Sequence, residues 1–109
     1  MKVNLLQGTL DMLILKALTW GSMHGYEVTR WLEQNSGDAL RVEEGSLYPA
    51  LHRLARRGMV KTAWGVSANN RRAKYYTLTA EGRRQLRAEA KSWEMFSLVV
   101  EKVLGAQPS

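Results

Sequence analysis

Apolar side chains recur three and four residues apart at Leu6, Leu10, Leu13, Ile14, Ala17 and Leu18. That spacing predicts a first helix with one buried stripe across residues 5–18. Two glycines and a serine within Thr19-Trp20-Gly21-Ser22-Met23-His24-Gly25 interrupt it, and Tyr26, Val28, Trp31 and Leu32 then resume a helical period until Asn35-Ser36-Gly37. Trp20, Tyr26 and Trp31 read as packing residues of this support rather than as binding groups.

A third helix is expected over residues 43–58, with Leu47, Ala50, Leu51 and Leu54 on one side of the wheel. The other side carries Tyr48, Pro49, His52, Arg53 and Arg56, chemistry suited to base edges and phosphates. Glu43 and Glu44 suit the positive end of the helix dipole, and Ser46 is the candidate cap. A start at Ser46 would put Pro49 in the first turn, where its missing N–H breaks no helical bond; an earlier start predicts a kink.

After Gly58 the period changes. Met59 to Trp64 alternates like a strand, and Tyr75 to Thr79 is a second run rich in aromatic and β-branched residues. The polar connection between them, Gly65 to Arg72, is too long for a two-residue turn and predicts a protruding hairpin loop. Tyr75, Tyr76 and Leu78 read as residues that pin the hairpin to its core.

From Ala80 the pattern is helical again, and eight of the twelve residues from Trp93 to Leu104 are apolar. One buried stripe cannot absorb that many, so a second face needs a cover. A second copy of the chain supplies one through Trp93, Phe96, Val99, Val100 and Val103; packing against the first helix is the intramolecular alternative, and both fit on different faces. Membrane insertion is disfavoured by Glu94, Glu101 and Lys102.

Charge sharpens this picture. Between Arg53 and Arg87 stand ten Lys or Arg residues against one acid, Glu81, while the other 74 residues carry six basic and nine acidic groups. The net charge of +6 therefore resides in one block, whose field a polyanion would feel. Within it, Arg71, Arg72 and Lys74 on a projecting loop stand beside a basic helix, a two-part surface able to grip a duplex by backbone or groove.

With 109 residues and 45% hydrophobic content the chain supports one core. The absence of cysteine excludes disulfides, thiolate metal sites and a cysteine nucleophile, and agrees with a cytoplasmic setting. The stretch from Leu5 to Leu18 is broken by Gln7, Asp11 and Lys16 and reads neither as a secretory signal nor as a membrane span. Histidine, the residue type suited to proton transfer near neutral pH, occurs only at His24 and His52, and no carboxylate cluster, phosphate loop or nucleophile motif accompanies them. No enzyme and no cofactor is implied; His24 and Glu81 read as helix-start residues.

Leu6-Gln7-Gly8-Thr9-Leu10, His24-Gly25-Tyr26, Gly45-Ser46-Leu47-Tyr48-Pro49-Ala50-Leu51, Arg71-Arg72-Ala73-Lys74-Tyr75-Tyr76 and Leu78-Thr79-Ala80-Glu81-Gly82 together resemble the winged-helix regulators of the PadR family, in its short branch. The resemblance implies a mainly α fold with a small β-hairpin: a winged helix-turn-helix DNA-binding domain over residues 1–80 and a C-terminal dimerisation helix over 81–109. It further implies a cytoplasmic, homodimeric regulator of double-stranded DNA, most often a repressor, with the third helix in the major groove and wing 65–74 on flanking backbone or minor groove. Carried onto this chain, Ser46, Tyr48, Pro49 and Arg53 match the reading helix and Arg71, Arg72 and Lys74 the wing; His52 and Arg56 join from wheel geometry. A small aromatic effector, if sensed, would meet Trp93 and Phe96 at the dimer interface. The competing reading is a non-specific or architectural nucleic-acid binder; RNA binding is weakened by the lack of a single-strand stacking motif.

Overall fold

Leu10, Ile14, Leu15, Ala17 and Leu18 are all buried in the computed structural model, which describes residues 7–108. Helix α1 (Gln7–Ala17), extended by a 3₁₀ turn over Leu18–Trp20, is thus the centre of the molecule, packed by every later helix. Met12 and Leu15 are buried beyond the expected stripe, because a central helix has neighbours on more than one side. Leu5 and Leu6 lie outside the described residues.

A two-residue strand β1 (Met23–His24) leads into α2 (Gly25–Asn35), which buries Val28 and Leu32 against α1. His24 is the N-cap: its Nδ1 accepts from the Glu27 amide at 3.3 Å, and the His24 amide donates to Glu27 Oε1 at 3.2 Å. Two orphan amides are satisfied reciprocally, which fixes where the helix begins. Trp31 packs partly against the core, whereas Trp20 and Tyr26 are 70% and 63% exposed, correcting their expected role as packing residues.

Helix α3 (Glu44–Arg56) seats Leu47, Ala50, Leu51 and Leu54 in the core, each almost fully buried. Its N-cap is Glu43, whose side chain makes no capping bond, so Ser46 is a helical residue and not the cap. Pro49 consequently lies in the second turn, and the Gly45 carbonyl lacks its usual helical donor. Gly58, at φ +74°, reverses the chain after α3 in a conformation that favours glycine.

Strands β2 (Val60–Val66) and β3 (Arg72–Leu78) pair antiparallel along their whole length, with Val60 opposite Leu78 and Val66 opposite Arg72. Pairing therefore runs further toward the tip than alternation alone indicated, leaving only residues 67–71 as turn. β1 adds on the other side of β3, giving the sheet order β1-β3-β2. Tyr76 and Leu78 point into the core, as expected for residues that pin a hairpin.

Helix α4 (Ala80–Leu104) begins at Thr79, whose hydroxyl accepts from the Gly82 amide at 3.0 Å and donates toward the Gly58 and Met59 carbonyls. Glu81 pairs with Arg84. The first half of α4 packs along α1 through Leu86; beyond it, Trp93, Met95, Phe96, Leu98, Val99, Val103 and Leu104 are each at least half exposed. The long extent of the molecule, 63 Å against 30 and 22 Å, leaves the end of this helix without intramolecular cover.

Candidate nucleic-acid interface

Three helices and a hairpin set the cationic side chains. The leucine stripe of α3 faces inward, so Ser46, Tyr48, Pro49, His52 and Arg56 face out, all exposed. Gly45 and Pro49 leave this face low, with no atom within 4 Å of where a Gly45 Cβ would stand. Low relief and exposed polar tips are what close approach to a duplex groove requires.

Tyr48 connects this face to the hairpin. Its ring lies over Gly25, the first residue of α2, where an added Cβ would stand 2.7 Å from the hydroxyl oxygen and 2.8 Å from Cε1. Only glycine at position 25 allows the tyrosine that seat. Beyond the ring opens a groove of about 690 Å³ whose lining includes His24, Tyr26, Tyr48, Trp64, Arg72 and Lys74. Arg71 also lines it, from the turn at the hairpin tip.

The hairpin is braced on both faces. Tyr75 lies over Gly65, where a Cβ would come within 3.0 Å of its ring, and donates its hydroxyl to the Val66 carbonyl at 3.2 Å. At the tip, the Ser67 hydroxyl accepts from the Arg71 amide at 3.3 Å, and Asn70 adopts φ +58°, which asparagine tolerates in tight turns. Burial raises the Tyr76 hydroxyl above its ordinary pKa, with the neighbouring Tyr48 adding to the shift.

Arg53 is placed differently from its neighbours. Its Nη2 donates to Asp11 Oδ1 of α1 at 3.0 Å, and its Nε is buried without a partner. The side chain is 32% exposed and that of Asp11 14%. The wheel puts Arg53 outside the leucine stripe but on its α1 flank, away from Tyr48, and an acid 42 residues earlier in the chain captures it there. Arg53 thus fastens α3 to α1 at the centre of the fold instead of standing free on its outer face.

Two features escaped the sequence pattern. Trp64 stands 60% exposed beneath the Arg72 guanidinium, whose carbon lies 4.5 Å from the ring centroid. Tyr26 likewise accepts from Arg30 Nη1 at 3.2 Å, which raises the pKa of that guanidinium further. The exposed i, i+4 spacing of Tyr26 and Arg30 was the available signal for the latter. For Trp64 and Arg72 the signal lay in cross-strand pairing, which needs the register.

Among the described residues no group of His, Asp or Glu side chains is arranged to hold a metal ion, and no helix is long and apolar enough to cross a membrane. The Trp93 and Phe96 rings lie 6.3 Å apart on the exposed part of α4. An apolar groove of about 380 Å³ between α1 and α4 is lined by Met12, Leu13, Leu86, Ala90 and Trp93, among others.

The profile of the transcriptional regulator PadR-like family matches residues 14–88, which run from the end of α1 through α2, α3 and the hairpin into the first part of α4. The chain belongs to the PadR-like family of transcriptional regulators. A PadR-like regulator from Bacillus cereus superposes with a TM-score of 0.77 at 30% identity, covering 93% of this chain and 96% of that one. A PadR-family regulator from Eggerthella lenta gives 0.80 at 31% identity, covering 93% and 86%. The negative transcriptional regulator PadR of Bacillus subtilis is 27% identical over 73 residues, 67% of this chain, which spans 40% of that longer protein. The winged-helix architecture of the family is the one described above: four helices and a small antiparallel sheet.

Proposed function

We propose that this PadR-like regulator is a sequence-specific binder of double-stranded DNA that represses by occupying its site. In this reading α3 enters the major groove with Ser46, Tyr48, Pro49, His52 and Arg56, and the wing contacts flanking backbone or minor groove with Arg71, Arg72 and Lys74. The single observation that carries it is the groove shared by Tyr48 of α3 and all three wing cations, which makes helix and wing two banks of one surface. Arg53 holds α3 in place through Asp11, and base discrimination passes to Arg56 and His52 on the outer face.

Two copies complete the site. The uncovered apolar length of α4, including Trp93, Phe96, Val99 and Val103, supports a homodimer built on this helix, with Val100 half-buried at its margin. A two-fold pair presents two reading helices to half-sites roughly 34 Å, one duplex turn, apart. Residues 1–80 then act as the DNA-binding unit and 81–109 as the pairing unit, and Trp93 and Phe96 offer rings for a small aromatic effector between subunits. The working compartment is the cytoplasm.

Selection of bound duplexes from a random pool, followed by titration at several salt concentrations, tests this. Arg71→Ala with Arg72→Ala should flatten the slope of log affinity against log salt by about 0.9 per lost phosphate contact on every duplex. Arg56→Ala should instead cost about 1–3 kcal/mol on the selected site and spare random duplex. Failure to enrich any shared palindrome, with equal affinity for all duplexes, would leave the architectural reading in its place.

A further inference from the structure

Trp64 is the hairpin residue for which neither the core nor the reading face accounts. A large indole 60% exposed on a strand gains little from burial, so its position calls for another contact. That contact is the Arg72 guanidinium, 4.5 Å from the ring centroid. In the register Trp64 faces Lys74 and Val66 faces Arg72, so Trp64, Arg72 and Lys74 project from one side of the ribbon. All three line the groove whose other bank is Tyr48. The ion pairs among the described residues engage His24, Arg53 and Arg84, not Arg72.

We propose that Trp64 is a positioning residue of the wing, whose indole face holds the Arg72 guanidinium so that its N–H edge meets a backbone phosphate. This rests on the duplex-binding reading above. A stacked guanidinium uses its flat face on the ring and keeps its in-plane donors free, the geometry in which arginine engages phosphate oxygens two at a time. Arginine otherwise surrenders much side-chain freedom on binding; restraint in the free protein lowers that loss. The ribbon beneath does not depend on the indole, because Tyr75 braces the reverse face through Gly65 and the Val66 carbonyl.

Five proteins test the role: the parent, Trp64→Leu, Trp64→Phe, Arg72→Gln and the double variant Trp64→Leu with Arg72→Gln, titrated by fluorescence anisotropy against a duplex selected by the parent. An exposed cation–π contact predicts about a 2- to 5-fold weaker affinity for Trp64→Leu, a loss for Arg72→Gln at least as large, and a double variant no weaker than Arg72→Gln alone. Trp64→Phe should recover most of the affinity. In the free parent, the Arg72 Hε resonance should carry a ring-current shift that disappears in Trp64→Leu, an effect mere loss of hairpin packing would not produce while the remaining amide spectrum is unchanged. Additive losses would mean that Trp64 touches the duplex itself and would overturn the role, as would Trp64→Leu binding like the parent while Arg72→Gln is weakened. Absence of the ring-current shift in the parent overturns it independently of any duplex. A parent that binds no duplex overturns the function proposed above, a result distinct from the failure of Trp64 alone.

Discussion

Gly82 is the point at which the start of α4 meets the start of β2, and its replacement by alanine exposes how tightly the wing root is fixed. A Cβ there would be driven into the Met59 carbonyl, 3.1 Å from its carbon and closer to its oxygen, and would stand 2.7 Å from Leu78 Cδ1. Backbone cannot swing aside as a side-chain tip can. The same carbonyl accepts from the Thr79 amide at 3.1 Å and from the Thr79 hydroxyl at 2.9 Å, so moving it disturbs the anchor of α4. Overpacking of this kind costs about 1–3 kcal/mol, and each weakened hydrogen bond adds about 1 kcal/mol. Alanine returns at most about 1 kcal/mol in helix propensity. The balance is a loss of about 2–4 kcal/mol, read from urea titrations followed by far-UV circular dichroism at equal protein concentration. Gly8→Ala is the control: nothing lies within 4 Å of its Cβ, and it should gain up to about 1 kcal/mol. A Gly82→Ala protein within about 0.5 kcal/mol of the parent would refute the reasoning.

Gly25→Ala should act on binding rather than folding, since its Cβ would displace only the half-exposed Tyr48 ring; we expect stability within about 1 kcal/mol of the parent and about fivefold weaker duplex binding, and unchanged binding would remove Tyr48 from the interface. Asp11→Ala should destabilise by about 1–2 kcal/mol, discounted for the partial exposure of Arg53, because the Arg53 guanidinium, whose Nε is buried, loses the carboxylate it pairs with; Asp11→Ala with Arg53→Met should recover most of that, and an equally unstable double variant would contradict the account. Tyr76 has a raised pKa in the folded state, so the unfolded chain releases this proton first, and the stability it contributes below pH 10 declines as pH rises past that value. Denaturant titrations at neutral and strongly alkaline pH should therefore show a smaller alkaline loss for Tyr76→Phe than for the parent; equal losses would disprove the linkage.

What the sequence disclosed depended on how local the cause was. The inward face of α3 was legible because Leu47, Ala50, Leu51 and Leu54 repeat a helical period, and the apolar excess of α4 because residues 93–104 exceed one stripe. β1 was not legible: two residues, Met23 and His24, become a strand only by pairing with Tyr76 and Tyr75. His24 as an N-cap was half visible, since Glu27 stands at the capping-box distance but histidine is not among the favoured caps. Arg53 was misplaced for a different reason. A helical wheel assigns a side chain to a sector, and an arginine at the edge of that sector goes to whichever partner the fold brings near, here Asp11. Trp20 and Tyr26 were misjudged because each stands at a helix end, before Gly21 and after Gly25, where the helical period does not settle which way a side chain faces.

The strand order β1-β3-β2 makes the basic ribbon a continuation of the molecule's interior strand, held on one flank by the two residues that open α2 and on the other by β2. A flap attached by its edge would have one strand to hold it; this one pairs with β2 along residues 72–78 and with β1 at Tyr75 and Tyr76, so its root is held from both sides. For the duplex proposed to enter between this ribbon and Tyr48, a root held on two sides favours partners whose groove dimensions already suit the opening, in addition to the base contacts proposed for His52 and Arg56.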